Sequence, residues 1–198
     1  MQIKHGIRVS GEFPEIADTY QGREVIILGS GFNLWKEYDI ARGILPGAEI
    51  MAVNNSLIGL EWQIRSEKVK ITHWVSLHPE HFWFGDIWMK DMAITHGVAE
   101  YPKTKIVWPL NSDGSSGLVA TKIALLLGYS RILLCGIPLD DTRRFYDHPD
   151  TTYRMADPAI HQGWMDFVNA IGEEEGKKIK SLSGFSQKIF GGPLWNAS

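Results

Sequence analysis

Cysteine is almost missing from this sequence of 198 residues, in which Cys135 stands alone. A single cysteine excludes an intrachain disulfide and a cysteine-rich zinc site. Because Cys135 ends the apolar run 132–135, we expect it to be a small buried hydrophobic residue rather than a nucleophile. Glycine and proline, at 20 and 9 residues, fall well short of the combined share of roughly a quarter that marks low-complexity chains.

Long apolar runs and an excess of basic charge are missing too. No stretch of the sequence approaches the roughly 18 apolar residues that a membrane-spanning helix needs, and residues 1–6 lack the apolar centre of a signal peptide. The 20 Lys and Arg residues are outnumbered by 23 Asp and Glu residues, whereas duplex-binding proteins carry a basic stripe. We therefore expect a soluble, cytoplasmic protein with no membrane span and no duplex nucleic acid as partner.

The remaining composition is that of an ordinary globular domain. Hydrophobic residues make up 44% and charged residues 22% of the chain, close to globular averages, and one domain takes roughly 100–200 residues. We expect a single domain over residues 25–198. Residues 1–24, with Gly11, Pro14 and Gly22, are interpreted as an N-terminal extension that wraps the sheet.

Short apolar runs recur along the chain, with helical patterns between them. Strands are predicted at 25–29, 50–54, 72–77, 105–108 and 131–136, and a weaker edge strand at 178–182. Helices are predicted at 118–127, 159–175 and between 79 and 92, with Gly128 and Gly176 ending the first two. Because this alternation is typical of βαβ units, we expect a Rossmann-like α/β fold with a largely parallel, doubly wound sheet.

Ligands of such sheets bind at the carboxyl ends of the strands, beside the point where the strand order reverses. The first strand is followed by Gly29, Ser30 and Gly31, where two glycines allow a tight turn and close backbone approach to an anionic ligand. A plain strand-to-helix turn would need the same residues. The loop is therefore a candidate phosphate site and not yet an established one.

The same region counts against a dinucleotide. A dinucleotide-binding loop has a third glycine where Leu34 stands here, and a carboxylate after the second strand. This chain instead ends its second strand in Asn54 and Asn55. The amides of these two residues favour a mononucleotide over NAD or FAD.

Two further loops carry groups suited to anions. Ser115, Ser116 and Gly117 open the long helix, where hydroxyls, backbone N–H groups and the helix dipole converge; an ordinary serine cap is the alternative. The segment after the fifth strand contains the guanidinium groups of Arg143 and Arg144, which suit phosphate oxygens. A solvated surface loop is the alternative there.

The histidines and aromatic residues supply further candidates. His78 follows the third strand closely behind Ser76, and both are predicted to bind substrate, with a capping role as the alternative for His78. His73 within that strand is expected in the core. A zinc site is conceivable, but the spacing of its donors matches no common pattern: Asp147, His148, Asp150 and His161. The aromatic run 82–84 suits stacking on a base or sugar, or the interface of a homo-oligomer.

Three motifs occur in one fixed order, and that order resembles a known family. The motifs are Gly29-Ser30-Gly31-Phe32-Asn33-Leu34, Val53-Asn54-Asn55-Ser56, and the block that runs from Ser115 through Leu127-Gly128-Tyr129 to Gly136-Ile137. The order resembles the bacterial sialyltransferases of glycosyltransferase family 42. It is also similar to the wider group with their nucleotide-binding domain, which includes motility-associated glycosyltransferase-like proteins and an archaeal hydroxymethylpterin diphosphokinase.

The resemblance implies roles for individual residues. Gly29, Ser30 and Gly31 would pass beneath the nucleotide phosphate and ribose, and Asn54 would contact the nucleotide. The residues Ser115, Ser116 and Gly117 would hold the sugar carboxylate or the nucleotide. Tyr146 would stabilise the departing phosphate. The general base would be His161, with His148 as the second choice.

These observations predict a nucleotide-binding transferase. The favoured activity is that of a glycosyltransferase that uses a nucleotide-activated sugar similar to a CMP-sugar, by direct displacement onto a small-molecule or glycan acceptor. No Asp-x-Asp pair occurs in the sequence, so a reaction without metal or other cofactor is favoured. One alternative is phosphoryl or diphosphoryl transfer from ATP, with Asp140, Asp141 or Asp147 holding Mg²⁺. The other is a catalytically silent nucleotide-binding module.

Overall fold

A computed structural model describes most of the chain. The described residues are 1–56, 70–78, 80, 82, 93–111, 115–150 and 157–195. The predicted helix between 79 and 92 and the aromatic run 82–84 therefore lie almost entirely outside the described residues. At the N-terminus, β1 (Gln2–Lys4) and β2 (Ile7–Val9) form an antiparallel hairpin, whose side chains Ile7 and Val9 are buried in the main core.

A parallel sheet forms the centre of the described structure. Its strands are β3 (Glu24–Leu28), β4 (Glu49–Val53), β5 (Ile71–Val75), β6 (Ile94–Gly97), β7 (Ile106–Val107), β8 (Arg131–Cys135) and β9 (Ile179–Ser181). Their order is β7-β6-β5-β4-β3-β8-β9, and every pairing is parallel. Strands β4 to β7 follow β3 along the chain and lie on one side of it, whereas β8 and β9 lie on its other side. The strand order therefore reverses between β3 and β8.

Helices cover both faces of this sheet. The described helices are α1 (Leu34–Ile44), α2 (Ser116–Leu127), α3 (Pro158–Lys177) and α4 (Gly184–Phe190). On one face α1 packs with Leu34 and Tyr38, and on the other face α2 and α3 pack together. The predicted α/β, doubly wound, Rossmann-like fold is confirmed. Among these helices none combines the length and apolar character that crossing a membrane requires.

Most predicted element boundaries agree with the structure, but α1 and α4 were not predicted, and one helix end and one strand need correction. Gly128 ends α2 in the left-handed conformation, as predicted, with φ 94°. The predicted end of α3 at Gly176 is wrong, because the helix continues to Lys177 and its dihedral break lies at Gly172. The sequence analysis also missed β6, whose residues Thr95, His96 and Gly97 interrupt any apolar run.

A buried chain of hydrogen bonds ties the middle of the sheet to its amino-terminal edge. Trp108 Nε1 donates to His96 Nδ1 at 3.0 Å, and His96 Nε2 lies 2.9 Å from His73 Nδ1. His73 Nε2 lies 2.9 Å from the Tyr129 hydroxyl, which donates to a Glu49 oxygen at 2.5 Å. One consistent direction of donation makes both imidazoles neutral. Burial agrees with it, because desolvation lowers the pKa of His73 to about 4 and that of His96 well below its ordinary value.

Candidate functional site

A cavity of about 270 Å³ opens where the strand order reverses. Its walls come from the carboxyl ends of β3, β4, β5 and β8 and from the first turn of α2, which is the expected ligand position in an open α/β sheet. The sequence-predicted residues in its lining are Gly29, Ser30, Gly31, Asn54, His78, Ser115, Ser116, Gly117, Arg144 and Tyr146. The predicted residues outside its lining are Asn55, Ser76, Arg143, His148 and His161.

The glycines after β3 are explained by contacts within the chain. Gly31 N–H donates to the Gly136 carbonyl at 2.8 Å. A Cβ on Gly29 would lie 2.4 Å from the Gly136 carbonyl oxygen, and a Cβ on Gly31 would lie 2.7 Å from Pro138 Cδ. These glycines let the segment after β8 pass closely beside the loop; their predicted role in the approach of a ligand stays a prediction.

A buried carboxylate also occupies the first turn of α1. Glu37 is 5% exposed, and its Oε2 accepts a hydrogen bond from the Gly136 N–H at 2.7 Å. In dinucleotide-binding folds the corresponding helix N-terminus faces the pyrophosphate. An acidic side chain at that turn repels a phosphate, so the N-terminus of α1 is poorly suited to an anion. The sequence analysis missed Glu37, although an acid in the first turn after a glycine loop is a readable signal.

The first turn of α2 has no such acidic side chain. Ser115 Oγ caps the helix by accepting the Leu118 N–H at 3.2 Å and also accepts Trp164 Nε1, so the cap alternative is correct for this hydroxyl. Ser116 Oγ accepts the Leu77 N–H. The backbone N–H groups of Ser116 and Gly117, as the first two helical residues, have no acceptor within the helix. They lie at the positive end of the helix dipole and on the cavity wall.

Asn54 faces this turn from the end of β4. It adopts a left-handed conformation with φ 50°, and its carbonyl accepts Trp74 Nε1 at 3.0 Å. Its Oδ1 accepts the hydroxyl of Ser76 at 2.7 Å. That hydroxyl also accepts the His78 N–H at 2.9 Å. Ser76 is thus a buried support beneath the cavity. Because Asn54 Oδ1 is engaged by Ser76, the amide N–H₂ is the part of the Asn54 side chain suited to a ligand.

Residues 140–147, which we call the arm, run beside the glycine loop. Arg144 forms an antiparallel bridge with Gly31, and the Phe145 N–H donates to the Ser30 carbonyl at 3.0 Å. Alternate residues of the arm line the cavity: Asp140, Thr142, Arg144 and Tyr146. The residues between them, 141, 143 and 145, are not part of the lining.

This alternation separates the two predicted arginines. Arg144 lies on the cavity side, where its Nε pairs with Asp147 at 3.1 Å and its guanidinium stacks over Tyr146 at 4.9 Å. The Arg143 guanidinium lies outside the cavity, 4.4 Å from the ring centre of Phe32. The structure therefore brings one of the two guanidinium groups to the cavity.

The predicted base candidates are likewise separated. His161 Nε2 lies 2.6 Å from the Leu139 carbonyl, and its ring stacks on Phe185. His148 is exposed and its Nδ1 lies 3.4 Å from an Asp150 oxygen. Neither lines the cavity. Of the histidines in the described ranges, His78 lies in the lining, with Nδ1 3.5 Å from a Glu80 oxygen.

The acidic residues of the magnesium alternative do not converge. Asp140 lines the cavity and accepts the Thr142 N–H at 3.0 Å, whereas Asp147 is bound to Arg144. Asp141 is not part of the lining. Within the part of the chain that is described, no three His, Cys, Asp or Glu side chains are grouped so that they could hold a metal ion.

Comparison with known proteins adds no identity to this geometry. No protein-family model matches the chain, and no curated protein matches it. The assignment of a function therefore rests on the cavity and on the order of the motifs along the chain.

Proposed function

We propose that the protein is a nucleotide-binding transferase, a glycosyltransferase that takes a nucleotide-activated sugar in the cavity at the strand-order reversal. One observation carries this proposal. A single cavity collects helix N–H groups, an amide, a guanidinium and a phenol from three separate segments, which contribute Gly117, Asn54, and Arg144 with Tyr146. Convergent polar donors in a concave site at this place in the fold are characteristic of ligand sites.

The arrangement favours a phosphate between α2 and the arm. The N–H groups of Ser116 and Gly117 would donate to its oxygens from one side, and Arg144 would do so from the other. Asn54, on the adjoining wall, offers amide hydrogens to a ribose or base. The buried Glu37 carboxylate keeps the anion away from α1, which agrees with a mononucleotide and disagrees with a dinucleotide.

Direct displacement would use these groups in the following way. The acceptor hydroxyl oxygen forms a bond to the anomeric carbon of the sugar, while the bond from that carbon to the phosphate oxygen breaks. Arg144 and Tyr146 stabilise the charge that develops on the departing phosphate. The acceptor proton passes to a general base, and we assign that role to His78 because it lies on the cavity wall and Glu80 is placed to orient its ring.

Isothermal titration calorimetry with CMP, UDP, GDP and ATP, each with and without Mg²⁺, tests the proposal. We expect CMP to bind without Mg²⁺ and a CMP-sugar to be hydrolysed or transferred. Binding of ATP only with Mg²⁺ would replace the proposal by a phosphotransferase. Tight binding without turnover of any nucleotide sugar would make the protein a silent module, and no binding of any nucleotide would refute the donor site itself.

A further inference from the structure

Three consecutive backbone carbonyls after β8 are each held by a group from α3 or α4. The contacts are Ser186 Oγ to the Ile137 oxygen at 2.6 Å, Phe185 N–H to the Pro138 oxygen at 2.7 Å, and His161 Nε2 to the Leu139 oxygen at 2.6 Å. The arm begins at the next residue. The two helices therefore fix the point from which the arm crosses to the glycine loop.

Leu139 is the strained member of this set. Its φ is 56° and its side chain is 1% exposed. The left-handed region is unfavourable for a bulky L-residue, and such a conformation persists only where surrounding contacts impose it. Leu139, whose backbone conformation is the least favourable of the three, is the residue whose carbonyl accepts the hydrogen bond from His161.

The geometry also limits what His161 can do chemically. A carbonyl oxygen only accepts hydrogen bonds, so Nε2 carries a proton and donates it to Leu139. The ring is further fixed against Phe185, with centroids 4.0 Å apart and planes inclined by 15°. Both the neutral and the charged imidazole can make this bond. Nε2 of His161 therefore has no free lone pair with which to remove a proton from a substrate hydroxyl in the cavity.

We propose that His161 is a positioning residue, which holds Leu139 in its left-handed conformation and so places the arm over the cavity. Its effect reaches the ligand through Arg144 and Tyr146, the arm residues that face the cavity. The placement of the arm is a property of the free protein. Only the consequence for a nucleotide rests on the proposed function.

Hydrogen exchange followed by mass spectrometry tests the placement without any ligand. The reporter is the peptide that contains the Phe145 N–H, which is bound to the Ser30 carbonyl. In His161→Ala we expect the arm to exchange about tenfold faster, because local opening becomes easier. In His161→Gln the side-chain amide can donate to Leu139 but cannot act as a base, so exchange should stay within about twofold of the wild type. His148→Ala, at an exposed histidine, is the control and should leave the rate unchanged.

The outcomes separate this inference from the proposed function. If the arm of His161→Ala exchanges at the wild-type rate, the inference is overturned. Fast exchange in a folded His161→Gln also overturns it, so this variant decides the matter even if the alanine variant fails to fold. Loss of CMP affinity in His161→Ala with rescue in His161→Gln supports it. Wild-type exchange and affinity in His161→Gln with turnover lowered by about 10²–10⁴ would make His161 the base and refute the assignment. If no nucleotide binds but the exchange contrast holds, the proposed function fails and the positioning role stands.

Discussion

Asn54 and Leu139 lie on opposite sides of the carboxyl end of β3, and their left-handed backbone conformations have different causes. Each follows a neighbouring strand in a left-handed conformation, with φ 50° and 56°. Each has its carbonyl held by a ring N–H, from Trp74 at 3.0 Å and from His161 at 2.6 Å. Asparagine visits this region readily, whereas leucine does not. The backbone conformation at Asn54, on what we call the Asn54 side of the cavity, is thus favoured by the residue itself. The conformation at Leu139, on the Leu139 side, is imposed by contacts from α3 and α4.

The difference has a consequence for the cavity. The Asn54 side should tolerate the loss of a neighbouring contact, because its backbone conformation has a local cause. The Leu139 side should fail when α3 or α4 is disturbed, because its conformation is imposed from outside. The four changes below test this contrast, from the largest expected effect to the smallest.

Gly184→Ala should break the Leu139 side. Gly184 has φ 64°, and an added Cβ would lie 2.2 Å from the Pro138 oxygen, so α4 would have to withdraw from the segment it holds. We expect a loss of about 3 kcal/mol in the free energy of unfolding, measured with urea. Gly176→Ala is the matched control: no atom lies within 4 Å of its added Cβ, and alanine should stabilise the helix by roughly 0.5–1 kcal/mol. Equal losses in the two variants would contradict the account.

Acid should lower the stability of the whole fold through the core beneath the Asn54 side. His73 lies in β5, the strand that leads to Ser76, and its pKa is lowered to about 4 by burial. In the unfolded chain the His73 imidazole takes up a proton with a pKa near 6.5, whereas in the folded chain it stays neutral until about pH 4. The free energy of unfolding is therefore largest above pH 6.5 and falls as the pH drops towards 4. From this group alone we expect a loss of about 2 kcal/mol at pH 5.

Urea unfolding at pH 7 and pH 5 measures this loss. His148→Ala should leave it unchanged, because that histidine is exposed. A stability that does not differ between the two pH values would show that the imidazoles of the buried chain are not neutral.

Arg144→Ala should weaken the cavity without breaking the fold. The guanidinium is the cation of the arm that faces the cavity, and loss of a charge-assisted contact of about 1.5 kcal/mol corresponds to about tenfold in the dissociation constant of CMP. Arg143→Ala is the neighbouring control, since its guanidinium stacks on Phe32 outside the cavity. Calorimetry that gives both variants the same affinity would remove Arg144 from the phosphate site.

Ser76→Ala should have the smallest effect. Its buried hydroxyl supports Asn54 Oδ1 and the His78 N–H, and its loss should lower the free energy of unfolding by about 1 kcal/mol. Ser130→Ala, where an exposed hydroxyl donates to the Arg23 carbonyl, should change it by a few tenths at most. A loss after Ser76→Ala as large as that after Gly184→Ala would erase the contrast between the two sides.

The fold was predictable because its strands are local signals. Apolar runs located the strands of the sheet except β6, in which Thr95 and His96 interrupt the apolar pattern. The ends of the predicted strands pointed to Gly29, Asn54 and Ser115, which line the cavity. The same rule placed His78 correctly beside the cavity.

The contacts that organise the cavity were beyond the sequence pattern. Glu37 meets Gly136 across 99 positions, and His161 meets Leu139 across 22. Such pairs depend on how the helices pack against the sheet, so no local sequence pattern predicts them. The separation of Arg143 from Arg144 was not readable either, because the arm is built of turns and bends rather than of an extended strand.

A ¹H–¹⁵N correlation spectrum of the protein titrated with CMP tests the central claim most directly, since it reports both binding and its location. The account predicts the largest shift changes at the backbone N–H groups of Ser116 and Gly117, with further changes at Asn54 and along the arm at Arg144. Shift changes confined to α1 near Glu37, or an unchanged spectrum at millimolar CMP, would contradict a nucleotide site in this cavity.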